Sequence, residues 1–115
     1  MPSIPFTGWP PTTGVALHRD SVKVVSKHNV AFWVRQQSPS PVMKKPQWQY
    51  YHIEFNCNEV RPIAMDVYRV RLDNRIMAHK TIATPEQMGL YFIEGGVDPW
   101  STQVFHWGKD QCALK

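Results

Sequence analysis

The stretch YYHIEFNCNEV, running from Tyr50 to Val60, decides the fold. Its side chains alternate in character. Tyr51, Ile53, Phe55 and Cys57 fall on one side, and Tyr50, His52, Glu54 and Asn56 on the other, with Trp48 just upstream. Successive side chains of a strand point to opposite faces, so a period of two marks a strand with one face in the core. Cys57 ends the apolar series, which aims its thiol inward.

Working outward, the same pattern recurs. In NVAFWVRQQ (29–37), Val30, Phe32 and Val34 alternate with Ala31, Trp33 and Arg35, which predicts a second half-buried strand. Between the two lies SPSPVMKKP (38–46), whose three prolines cannot donate to a ladder, so it reads as a loop. VKVV (22–25) is a short β-branched stretch. Downstream, Tyr68, Val70 and Leu72 alternate with Arg69 and Arg71 up to Asp73-Asn74. Both turn residues tolerate positive φ, so a hairpin is expected, with Ile76, Ala78 and Ile82 sharing one side of the returning strand.

The C-terminal part changes period. Thr84-Pro85-Glu86 fits the cap of one helical turn, while Leu90 to Ile93 reads as strand or helix. Asp98 and Pro99 suit the N-cap and first position of a helix. Trp100, Val104 and Trp107 then recur at i, i+4 and i+7, one apolar face of an amphipathic helix. Gly108 is expected to weaken its last turn, with Cys112 just beyond. Residues 1–14, rich in proline, glycine and threonine, read as an extended N-terminal segment preceding one domain over 15–115. The expected class is α+β, an antiparallel sheet packed against a C-terminal helix.

Composition fits this class. A chain of 115 residues with 43% hydrophobic and 12% aromatic content is a single globular domain with a modest core, not a disordered segment. No stretch approaches the roughly 18 apolar residues of a membrane span. The net charge of +4 comes from dispersed residues, with only Lys44-Lys45 and no longer basic run, and a solvated surface accounts for it. Cys57 and Cys112 lie in no CxxC pattern. The residues alone allow one disulfide or two reduced, buried thiols. If the final helix returns Cys112 to Cys57, closing a loop of about 55 residues stabilises the fold by roughly 4 kcal/mol. The N-terminus MPSIPFTGWPP has neither a basic nor an apolar signal region. The chain is therefore either cytosolic, or Met1 stands where an export signal has been removed.

Taken in order, these residues resemble the surface-adhesin protein E family. Asp20, Ser21 and Val22, then Phe32, Trp33, Val34 and Arg35, match its opening element and "VWVR"-like strand. Glu54, Phe55 and Cys57 match its "YEFDC" strand. DVYRVRLDNRIM resembles the hairpin that follows, and GGVDPWSTQVFHWGKDQC the closing helix that ends on the second cysteine. The turn here is Asp73-Asn74-Arg75, where the family carries an Asp-x-x-Gly turn. The resemblance spans about residues 15 to 112. It implies a sheet flanked by a helix, one Cys57–Cys112 disulfide, and export to the periplasm or outer surface of Gram-negative bacteria. It also implies a binding role toward host-matrix or envelope proteins, with a homodimer as one assembly route.

No catalytic pattern competes with a binding role. The five histidines are scattered, and no HExxH, GxSxG or phosphate-loop motif occurs. His52 and Glu54 share a strand face on which both are expected to point to solvent, which explains them better than a metal or acid–base site. Gly95-Gly96 reads as a plain turn, because Asp98 repels an anion at the helix start. Cys57 has no adjacent base to lower its pKa. The better signal is outward aromatics beside cations: Trp33, Arg35, Trp48, Tyr50 and His52, with Lys44 and Lys45 in the neighbouring loop. Such a patch suits a protein partner; a covering helix is the competing explanation. The expectation is a non-enzymatic binding protein without cofactor or metal. The alternatives are a cytosolic single-stranded nucleic-acid-binding module, which is disfavoured, and an inhibitor or immunity protein.

Overall fold

A computed structural model of the chain describes residues 3–12, 14–38, 47–92 and 99–114. Five strands form one antiparallel sheet in chain order: β1 (Ala16–Val24), β2 (Asn29–Ser38), β3 (Gln47–Asn56), β4 (Arg61–Val70) and β5 (Ile76–Ile82). Helix α1 (Pro85–Tyr91) and helix α2 (Pro99–Leu114) follow. The expected α+β class, the antiparallel sheet, the C-terminal helix and the disulfide are all present. Among the described residues no helix is long and apolar enough to cross a membrane.

The alternation in the sequence sorts the sheet into two faces. Phe32, Val34, Ile53 and Phe55 point to the helix side, where they meet Trp100 and Val104 of α2 and Met88 of α1. Directly opposed residues share a face, and the β2–β3 register pairs Phe32 with Ile53 and Val34 with Tyr51. A one-residue slip would turn this whole apolar set to the other face, so burial fixes the register. On that other face Trp33, Tyr50, Tyr68 and Val70 form a second buried cluster.

The local signals work as their chemistry requires. Thr84 sits in extended backbone and its Oγ accepts from Gln87 N at 3.2 Å, with Pro85 opening the helix. α1 then runs to Tyr91, so Leu90 and Tyr91 are helical. In the β4–β5 turn Asn74 takes the positive φ, at 66°, and Asp73 Oδ1 accepts from Arg75 N at 3.2 Å. Pro99 opens α2, whereas Asp98, Gly95, Gly96 and residues 39–46 with Lys44 and Lys45 lie outside the described residues.

Four details differ from the sequence reading. β1 begins at Ala16, well before VKVV, and its pairing with β2 is irregular between His18 and Lys23. Cys57 sits in the turn directly after β3 rather than within the strand, its N–H bonded to His28 O at 2.7 Å. α2 does not weaken at Gly108 but continues to Leu114, so Cys112 lies inside the helix. Its sulfur bonds Cys57 with the Cα atoms 5.4 Å apart, across 55 residues of chain. The N-terminal segment, expected only to be extended, also packs on the sheet: Ile4, Phe6 and Trp9 lie against the second buried cluster.

Candidate partner-binding face

The face opposite the helices is where the sequence places its outward aromatics. The segment 3–12 folds across it as a strap. Phe6 and Trp9 meet the Tyr50 ring edge-on at 5.7 and 5.6 Å, and Trp9 contacts His18 at 5.0 Å. Two hydrogen bonds fix the strap: Trp9 Nε1 donates to Pro5 O at 2.6 Å, and His18 Nε2 donates to Thr7 O at 2.8 Å. Gly8 between them has φ of +87°, and a Cβ there would lie 2.9 Å from His18 Nε2. That left-handed conformation and close approach demand glycine.

The strap changes the status of the expected patch. Trp33 and Tyr50, expected to face solvent, are only 4% and 1% exposed. The covering element is not a helix: α2 packs on the other face, and the N-terminal strap takes this one. Arg35, Trp48 and His52 remain half-buried at its margin. Lys44 and Lys45 fall outside the described residues.

Arg35 is the hub of this margin. Its guanidinium stands 4.0 Å from the Trp48 ring centroid and 4.8 Å from that of Trp9, and Nη1 donates to Tyr50 Oη at 3.4 Å. Its Nε is buried with no hydrogen-bond partner among the described residues. A planar cation between two indoles is held by the ring quadrupoles. This fixes one face of the Trp48 side chain near the start of the central strand β3, an amphipathic anchor of the kind that interfaces favour.

Beside the strap the same face turns polar. His52 lies opposite both Trp33 and Asp66 in the strand registers. Asp66 Oδ1 accepts from His79 Nε2 at 3.0 Å and from Thr81 Oγ1 at 2.8 Å, and the His79 ring stacks on Tyr68 at 4.3 Å. Burial pulls the His52 pKa below its ordinary 6.5, opposed by the Asp66 and Glu54 charges. Burial alone would raise Asp66, but the bonds from His79 and Thr81 and the nearby histidine charges together bring it below its ordinary value. Burial, followed by the Asp66 charge, raises Tyr68. Glu54 accepts from Asn29 Nδ2 at 2.7 Å, so it is tied to the sheet rather than poised beside His52. Among the described residues no three metal-binding side chains converge. Cys57 and Cys112 are oxidised together, so neither offers a thiolate.

One feature of the helix side was not legible in the sequence. A cavity of about 560 Å³ opens between α1, α2 and the turn after β3, floored by Met88, Phe92 and Phe105 and rimmed by Glu59 and Arg61. Val60 on its lining has a φ of 54°, rare for a β-branched residue. No periodicity announces a gap made where a turn and two helices meet. No family model, curated protein or solved structure matches this chain.

Proposed function

We propose that this chain is an exported, non-enzymatic binding domain of the surface-adhesin protein E type, acting at the periplasm or outer surface of a Gram-negative bacterium. Its partner is a host-matrix or envelope protein. The observation that carries the reading is the Arg35–Trp48 pair, a cation 4.0 Å from an indole at the margin of a rigid, disulfide-tied sheet. An aromatic anchor beside a cation, backed by buried Trp33 and Tyr50, has the composition of a protein-binding hot spot.

The Cys57–Cys112 bond supports export, because disulfides persist in oxidising compartments and are rare in the cytosol. It counts equally against the cytosolic nucleic-acid module, since thiols are kept reduced in the cytosol. The strap adds a second argument against that module. Single strands stack on exposed aromatic faces, and Trp33 and Tyr50 are covered here.

The test is binding of the purified chain to immobilised matrix, plasma and envelope proteins, beside a Trp48→Ala, Arg35→Gln variant. Binding by the parent and its loss in the variant support the reading. Binding that survives the double substitution moves the interface elsewhere, and no binding to any of the panel removes this class of partner. Intact mass of the chain from its native compartment, with and without reductant, tests export separately.

A further inference from the structure

Strand β5 is anomalous. Ile76 to Thr81 are exposed on both faces of the sheet, and only Ile82 is buried. The helices pack over β2 and β4, and the strap lies over Trp33, Tyr50 and Tyr68. Among the described residues β5 pairs with β4 and with nothing else. The opposite edge is blunted by the irregular β1 pairing between His18 and Lys23, a common protection of free edges. In β5 the register shift sits at the hairpin tip, opposite Arg69 and Val70, leaving Ala78 to Ile82 in regular register. That run is an open row of backbone donors and acceptors. Ile76 and Met77 beside it are 51% and 45% exposed.

Among the described residues, the charge around this edge that has no ion-pair partner is of one sign. Asp73 pairs with Arg71 at 3.8 Å, and Asp66 is taken up by His79 and Thr81. Arg69, Arg75 and Lys80 are exposed and carry no ion pair among the described residues. Lys80 lies opposite Val67, and Ala78 opposite Arg69, so Lys80, Ala78 and Arg69 share the helix-side face. A sixth strand would set its alternate side chains beside Lys80 on that face. A second copy of this edge brings Arg75 and Lys80 of both chains along one seam, where like charges repel.

We propose that β5 is a docking edge for an extended, acidic segment of another protein, which adds as a sixth strand and sets its carboxylates beside Lys80 and Arg69. This is β-strand addition, in which the main chain supplies affinity and alternate side chains supply selectivity. The proposal rests on the reading of this chain as a protein-binding domain and names the chemistry of the partner.

The probe is a synthetic peptide of alternating glutamate and valine, beside a copy N-methylated at every second residue and a copy with lysine in place of glutamate. The unmodified peptide is expected to bind, with amide shifts confined to Ala78–Ile82 and the neighbouring strand. N-methylation blocks the ladder and abolishes binding while leaving every charge in place. Lys80→Glu, at an exposed site that leaves the melting temperature unchanged, weakens binding by about tenfold or more. Equal binding of the methylated peptide, shifts elsewhere, no binding at all, or self-association of the chain through β5 would each overturn the proposal. Peptide binding without matrix- or envelope-protein binding removes that partner class and leaves the edge standing. The converse result removes the edge alone.

Discussion

Gly108 of α2 lies directly on the ring of Phe55 in β3: a Cβ built on the glycine would stand 2.4 Å from Cε2. The helix therefore crosses the sheet at a point where only a hydrogen atom fits. By helix propensity alone, alanine at this position gains about 1 kcal/mol. Contact with an aromatic ring that is itself fully buried reverses the sign. Gly108→Ala is expected to destabilise the fold by about 1–3 kcal/mol, the range for overpacking a core. Urea unfolding with the disulfide intact measures it. A variant as stable as the parent would mean that α2 does not seat on Phe55.

The close seat of α2 is reinforced about one helical turn further on, at Cys112. That bond ties the helix to the turn after β3 and closes 55 residues, including β4, β5 and α1. In the chain-entropy account such a loop stabilises the native state by roughly 4 kcal/mol, a large part of the 5–15 kcal/mol of a typical domain. Replacing both cysteines by serine is expected to lower the denaturant midpoint by a corresponding amount without changing the sheet. If the doubly substituted chain unfolds at the parent's midpoint, the covalent tie is redundant with the packing of Trp100 and Val104.

These two residues also mark how far sequence could carry the fold. The alternation through Tyr51, Ile53 and Phe55 and the spacing of Trp100, Val104 and Trp107 reveal which faces are apolar, because burial writes itself into periodicity. Gly108 carried no such mark: the cost of glycine in a helix is visible locally, while the ring that requires it is distant in sequence. The same limit hid the strap. Trp33, Tyr50 and Trp48 read as outward, and they do point away from the helices, but alternation cannot tell a solvent face from one covered by an aperiodic segment such as Ile4, Phe6 and Trp9. Of the expected patch, Arg35, Trp48 and His52 remain at the surface margin, and only the fold shows the indole pair around Arg35.

Gly8 gives a direct handle on that strap. At φ of +87° and with His18 Nε2 2.9 Å from any Cβ, substitution strains the backbone and pushes on the His18–Thr7 hydrogen bond together. Left-handed backbone costs an ordinary residue about 1–2 kcal/mol. Gly8→Val is expected to loosen residues 3–12 without unfolding the sheet, since the helix-side core is separate. Faster proteolytic trimming of the N-terminus, with an unchanged unfolding midpoint for the remainder, is the expected result. Unaltered trimming would show that Trp9 and Phe6 hold the strap without Gly8. A collapse of the whole fold would show that the two faces are not independent.

Acidification should weaken the fold in two stages, both traceable to the polar end of the same face. The folded His52 is held below its ordinary 6.5 because burial disfavours its charged form. The unfolded chain then binds more protons than the native state, so stability drops as the pH is lowered. The His52 contribution is therefore whole above 6.5 and is lost as pH falls through its folded value. Asp66, held below its ordinary 3.8, adds a second loss with the same sign at lower pH, as the carboxylate that accepts from His79 and Thr81 is protonated. His52→Gln is expected to flatten the first stage and leave most of the second, whereas Asp66→Asn removes the second and, by taking away the charge that opposes the His52 shift, deepens the first. Denaturant midpoints followed from neutral pH downward measure both. A parent whose midpoint rises on crossing 6.5 from above would contradict the sign for His52. A first stage that persists in His52→Gln would assign it to another histidine.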